Sequence, residues 1–468
     1  MKTVNVPKNI NVPAVKAPAR SKAFQRKVIA TGALGLILLG LNAAVRWRGA
    51  PRQSPPAVSL AAATSFEAQQ REAAQTMDFL AHRVKSDPED FLASDMLAGA
   101  YLHQVRETGN LDSLVRAEHL ARASLASVPE VKNVGGLATL TRTEFMAYQW
   151  TAARDHAARL TVLDAGEGEP YGMLGDAELE LGDYDKAGKA FQTMAGFGGG
   201  IGTETRLGRY ALLHGDPRAA GLHYSNAASL GLAQPDPPRE TVAWCRWQKG
   251  ETEFLVGRYP AAEQDYRAAL ASFPKYYLAL ASLGRVRAAQ GDYPGAIKYY
   301  EQAVGIIPYP TSVGALGDLY RLTNRPQDAA AQYALVAQIR RLSRLNGELY
   351  NRQYALFYAD HDLKPQEAYA EASREYAVRR DIYGADAVAW TALKAGKVAV
   401  AQARIKEALR LDTQDALLFY HAGMIARAAG DTPRARFSLG RALALCPQFD
   451  PLQARIARKA LAGLPAGA

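Results

Sequence analysis

Cysteine is nearly absent from this chain, with two in 468 residues. That excludes a disulfide-stapled scaffold and any four-cysteine zinc site. Histidine is scarce as well, and the eight present form no His-Glu-x-x-His pattern of a zinc hydrolase. Runs of β-branched residues are few after Glu67 while alanine is abundant, so there is little strand signal. Glycine and proline, at 39 and 24, are neither enriched nor depleted enough for a collagen-like or low-complexity chain.

Acidic residues are missing altogether from Met1 to Phe66. That stretch holds ten of the 56 basic residues, which accounts for the whole formal charge of +10. From Glu67 onward 46 basic and 46 acidic residues balance. A neutral body has no overall field to draw it onto a polyanion, so no nucleic-acid partner is expected.

Residues 28–45, VIATGALGLILLGLNAAV, pass without a charge. As a helix they would span about 27 Å, close to the thickness of a bilayer core. Trp47 between Arg46 and Arg48 suits an interfacial position. Seven basic residues precede the run and three follow it. The positive-inside bias then puts the N-terminus in the cytoplasm and the body outside, as a single-pass membrane protein. The alternative is secretion after signal-peptide cleavage, although no good small-x-small site follows the run. On this reading residues 1–27 form a disordered basic tail, 28–45 a transmembrane helix and 46–65 a proline-containing linker.

The remainder repeats itself. In Tyr277 to Pro308, Leu280, Leu283 and Gly284 fall in a first helix and Gly291-Asp292 makes a turn. Ala296, Tyr300 and Ala303 follow in a second helix, and Pro308 ends it. The register recurs from Phe91, Val134, Gly168, Ile201, Ala243, Tyr277, Pro310, Leu349, Ile382 and Ala416, and six of the nine spacings are 33 or 34. This pattern resembles the tetratricopeptide repeat, and the C-terminal units resemble long bacterial proteins of that family that carry an N-terminal membrane anchor. The resemblance implies an all-α fold: a right-handed α-solenoid of about ten helix pairs over 91–447, preceded by the transmembrane helix. A leading helix is expected in 66–90 and a capping helix in 448–468, because end units need their apolar faces covered.

No catalytic constellation emerges. The glycine-rich stretch Gly196 to Gly202 lacks the Gly-Lys-Ser/Thr ending of a phosphate loop and reads as a joint between repeats. Asp360-His361-Asp362 falls at an expected turn, where aspartate caps backbone amides more readily than it ligates metal. Cys245 and Cys446 lie in different repeats and read as buried small apolar residues. The expectation is therefore no enzyme, no cofactor and no metal.

What remains is binding. The resemblance implies that the first helices line a concave face and that a protein or peptide partner is held there. At the inward positions stand Tyr350, Tyr354, Phe357, Tyr383, Trp390, Tyr420, His421 and Arg427, with a second aromatic cluster at Trp244 and Trp247. Aromatic and arginine side chains are common interface anchors. The expected function is a membrane-anchored scaffold without catalysis. The alternatives are an envelope or secretion assembly factor that holds a client, and a polysaccharide-binding module.

Overall fold

The computed structural model describes residues 66–345 and 352–465. Among the described residues there are 22 α-helices and one short 3-10 helix, and no strand. A leading helix, Phe66–Ser86, is followed by ten helix pairs. Units 1 to 5 are Phe91–Thr108 with Leu111–Ser127, Val134–Met146 with Trp150–Leu163, Glu169–Leu181 with Tyr184–Gly196, Ile201–Leu213 with Pro217–Leu232, and Arg239–Leu255 with Tyr259–Ser272. Units 6 to 10 are Tyr277–Ala289 with Tyr293–Ile306, Pro310–Leu322 with Pro326–Leu345, Arg352–Asp360 with Pro365–Tyr376, Ile382–Lys394 with Val398–Ala408, and Ala416–Ala428 with Thr432–Leu445. Gln453–Ala462 closes the series.

No helix among the described residues is long and apolar enough to cross a membrane. The single-pass localisation expected from the sequence is not supported and is withdrawn. Residues 28–45, on which it rested, lie outside the described residues, as do 1–27 and 46–65.

Local chemistry places the helix ends. Asp183, Asp216, Asp292 and Asp431 each accept a hydrogen bond from the backbone amide three residues on, and so cap the second helix of their unit. A proline in the first turn follows three of these caps. Between the helices of a pair, small residues permit close approach. A Cβ on Gly284 would lie 2.6 Å from Cδ2 of Tyr300, so the ring packs directly against the opposing backbone. Unit 5 departs from the expected register. Its first helix begins at Arg239 rather than Ala243, because Pro238 sets the chain for helix entry directly ahead of it.

The units do not splay apart as independent spacers. Six units on, the chain returns to pack against its own earlier turns. The amide of Ile382, opening unit 9, donates to Tyr184 Oη in the turn of unit 3 at 2.9 Å. Thr413, ahead of unit 10, donates to the Leu213 carbonyl at the turn of unit 4. Gln448, after unit 10, donates through its amide to Tyr259 Oη at the turn of unit 5, at 3.0 Å. Ile307, ahead of unit 7, covers Gly109 at the turn of unit 1.

Two turn glycines show what this stacking demands. Gly182 has φ of +86°, and a Cβ there would collide with the Arg380 carbonyl. Gly430 has a similar φ of +78° but open space around it. Gly430→Ala should therefore cost about 1–2 kcal/mol, the left-handed backbone penalty alone. Gly182→Ala should cost about 3 kcal/mol, since overpacking adds to that penalty. Chemical denaturation of the two variants checks this. Equal losses would mean that the turn of unit 3 is not tightly covered.

Candidate functional site

The first helix of unit 9, Ile382–Lys394, carries two of the residues expected at the inward face, Tyr383 and Trp390. Ten of its thirteen residues are buried, and none is exposed. Apolar residues surround most of the helix, with Asp386, Thr391 and Lys394 as polar exceptions, and Trp390 lies inside. Its ring is fully buried, its Nε1 donates to Asp360 Oδ1 at 2.8 Å, and it stacks on His421 at 4.2 Å between centroids. His421 meets the Asp386 carboxylate at 2.9 Å, and Tyr420 Oη donates to Gln453 Oε1 at 2.6 Å. Tyr354 and Phe357 are buried with Val313, Val336 and Tyr358.

These five residues, expected at a concave ligand surface, are core. The correction has a simple cause. Each is covered by the units on either side of it: Trp390 by Asp360 of unit 8 and His421 of unit 10, Tyr420 by Gln453 of the closing helix, and Tyr354 and Phe357 by Val313 and Val336 of unit 7. Trp244, Trp247 and Tyr383 are part-buried. Trp244 meets Tyr224 edge-on at 5.9 Å, and Trp247 Nε1 donates to Ser282 Oγ at 2.9 Å, so both serve contacts between neighbouring units. Arg427 stays exposed, beside the uncovered Gly430. Tyr350 lies outside the described residues.

A cavity of about 900 Å³ opens instead at the seam between the turn of unit 3 and units 8 and 9. Its walls carry Tyr184, Tyr369, Tyr376, Arg380, Arg404 and Arg410. Arg410 donates to the carbonyls of Gly182 and Arg380, each at 3.2 Å, and so pins the two sides of the seam. Its guanidinium lies 5.1 Å from the Tyr184 ring centre. Arg404 pairs with Glu407 at 2.6 Å and stands over the Tyr376 ring at 5.2 Å, while Tyr376 Oη donates to Glu407. Burial raises the Glu407 carboxyl, but Tyr376, Arg404 and Arg410 outweigh it and hold the group below its ordinary range. Burial, reinforced by the Asp381 charge, pushes the Tyr184 phenol up to about 12. Both groups therefore keep one charge state near neutral pH. Ser373 Oγ is buried in the wall without a hydrogen-bond partner, and Arg380 projects exposed at the rim.

The arrangement is suited to holding a ligand. Neither cysteine is poised for nucleophilic chemistry: both are buried, and burial pushes the Cys245 thiol up to about 12. No group of three or more potential metal ligands occurs among the described residues. At Asp360-His361-Asp362 the side chains serve structure. His361 Nε2 meets Asp318 at 2.7 Å, and Asp362 takes a left-handed turn conformation with φ of 54°. Nothing in the sequence pointed to the seam cavity, whose walls come from segments some two hundred residues apart.

The tetratricopeptide repeat family model matches residues 249–313 and 387–451, and a second model of the same description matches 168–193. The chain carries tetratricopeptide repeats. The matched stretches fall on units 3, 5, 6, 9 and 10 and reach the start of unit 7. Among solved structures, a protein named MamA is 21% identical, with 36% of this chain and 96% of that chain covered and a TM-score of 0.30. A tetratricopeptide repeat protein from Parabacteroides merdae ATCC 43184 is 17% identical over 56% of this chain and 97% of its own, with a TM-score of 0.30. The APC/C hetero-tetramer Cut9-Hcn1 is 11% identical over 84% of this chain and 94% of its own, with a TM-score of 0.32. None of the three superposes on the chain closely enough to speak for its function. The comparison with curated proteins found no match. A tetratricopeptide scaffold of this kind is suited to protein–protein interaction.

Proposed function

We propose that the chain is a non-catalytic scaffold that holds a segment of a protein partner in the seam cavity. One observation carries this reading: a recess of about 900 Å³ whose walls combine three tyrosines and three arginines on helices braced from both sides. Tyrosine and arginine are the residues most often found as interface anchors, and rigid walls lower the ordering cost of binding. Val388, Val400 and Leu411 supply an apolar floor. The segment that fits is an extended one with an aliphatic side chain for that floor and an acidic side chain for the rim guanidinium of Arg380.

The test uses the full-length chain with a photo-crosslinking residue in place of Tyr369, and in parallel at Phe437, which is 69% exposed and lies on the second helix of unit 10. A partner should crosslink at 369 and not at 437. Arg380→Glu should weaken its binding by about tenfold or more, the scale of a single hot-spot arginine. Capture at 437 alone, or full binding by the Arg380→Glu variant, would defeat the proposal.

A further inference from the structure

The stacking of unit n+6 on unit n stops part-way along the chain. The turn glycines of units 1, 3, 4 and 5, Gly109, Gly182, Gly215 and Gly257, are all covered by the later chain. Those of units 6, 9 and 10, Gly291, Gly396 and Gly430, have the same positive φ, yet nothing lies within 4 Å of where a Cβ would stand. At unit 6 the closing helix already reaches in, since Arg455 donates to Tyr293 Oη at 2.6 Å; the turns of units 9 and 10 form an open edge of the same make as the covered one.

The opposite edge, made by the loops that enter the early units, carries the matching parts. Ile307, which covers Gly109, sits three residues ahead of the first helix of unit 7. Val131 holds the equivalent place ahead of unit 2, and Phe197 a similar place ahead of unit 4; they are 57% and 48% exposed. The charges on the two edges are also opposite. Asp87, Glu89, Asp164 and Glu167 flank the entry loops of units 1 and 3. Lys397, Arg427 and Arg434 flank the open turns of units 9 and 10 against a single acidic residue, Asp431; Lys394 there is already paired with Asp362 at 2.6 Å.

We infer that this surface receives a second copy of the same chain, whose entry loops lie over the open late turns and continue the internal stacking from one molecule to the next. The contact is heterologous, head to tail, so each copy keeps one free edge of each kind and the association is open-ended. The occupant is specified by continuity: the chain already makes this contact with itself four times, with a bulky apolar residue over a bare turn in one case and backbone groups in the others. An unrelated partner would have to reproduce both the spacing of the turns and the acidic complement.

Sedimentation velocity of the full-length protein over a wide concentration range, at low and high salt, tests the inference. The sedimentation coefficient should rise with concentration, and less so in high salt, because Glu89, Glu167, Lys397 and Arg427 are exposed and their charges are screened. Two double variants separate this mode from other self-association. Lys397→Glu with Arg427→Glu reverses the late edge, and Glu89→Lys with Glu167→Lys reverses the early one. Each alone should weaken association by about tenfold or more. An equimolar mixture should recover it, since the reversed edges complement each other. A wild-type chain that stays monomeric throughout would overturn the inference. So would association that survives both reversals, or variants that remain dissociated when mixed although each melts like wild type.

Discussion

Trp390→Ala is expected to destabilise the fold by about 3–5 kcal/mol, the usual loss when a buried tryptophan is cut back to alanine. The site offers little room for collapse. The Trp390 ring is sealed between His421, stacked at 4.2 Å, and Tyr420 at 5.4 Å, and its Nε1 holds the Asp360 carboxylate. Removal leaves a cavity and strips Asp360 of that donor. Burial already raises the Asp360 carboxyl, opposed by His421 and by the bond from Trp390, so losing the bond favours the protonated form further. Partner binding by the fraction that remains folded should be unchanged, since the ring reaches no surface. Thermal melting together with crosslinking at position 369 decides the matter. A variant that melts like wild type but loses the partner would restore Trp390 to a binding face.

A loss of similar size is expected from Arg352→Met. Arg352 is buried and makes three hydrogen bonds: to Glu375 at 3.0 Å, and to the two oxygens of Asp381 at 2.8 Å each. Asp381 also caps the first helix of unit 9 through the Gly384 amide. Removing one partner of a buried ion pair leaves the other charge uncompensated, which costs about 3–5 kcal/mol. Arg352→Lys should recover only part of this, because an ammonium cannot span both oxygens of a carboxylate. The same cluster gives the fold an acid limit. Glu180 joins it through Arg209 and Arg379. Burial alone would raise its carboxyl, but the two guanidiniums outweigh burial and hold it at about 2, against an ordinary value of 4.5. A carboxyl depressed on folding stabilises the folded state above its unfolded value and loses that contribution as pH falls through the folded one. Stability should therefore decline between about pH 4.5 and 2, and Glu180→Gln should flatten that part of the curve. A wild-type profile that is already flat there would show that the pair contributes nothing.

The two predictions differ in how far the sequence could have led to them. Trp390 and Tyr420 stand at inward positions of consecutive repeats, and the repeat pattern assigns them to a ligand face. Their neighbours contain the clue. Ile382, Ala385, Ala387, Val388, Ala389 and Ala392 spread apolar residues round most of that helix, which marks an element covered on more than one side. Arg352, Glu375 and Asp381, by contrast, carry no signal that distinguishes them from solvated charges until the chain has folded back.

The sequence by itself determined the helix pairs. Turn glycines, capping aspartates and the small residues at each crossing act within about 34 residues, the span of one repeat. Local steric and hydrogen-bond rules therefore suffice to read the first-helix starts at Phe91, Val134, Ile201, Tyr277, Pro310, Ile382 and Ala416. Where proline intervened ahead of unit 5, the same local rules moved the start. Only the tertiary structure decided which face is inside. Each unit is rotated slightly from the last, and the small rotations accumulate until unit 9 meets unit 3 and unit 10 meets unit 4. That sum depends on packing angles at every junction, and no single motif encodes it. It creates the seam cavity from segments remote in sequence and leaves the turns at Gly396 and Gly430 uncovered, while packing between adjacent units buries the expected groove residues.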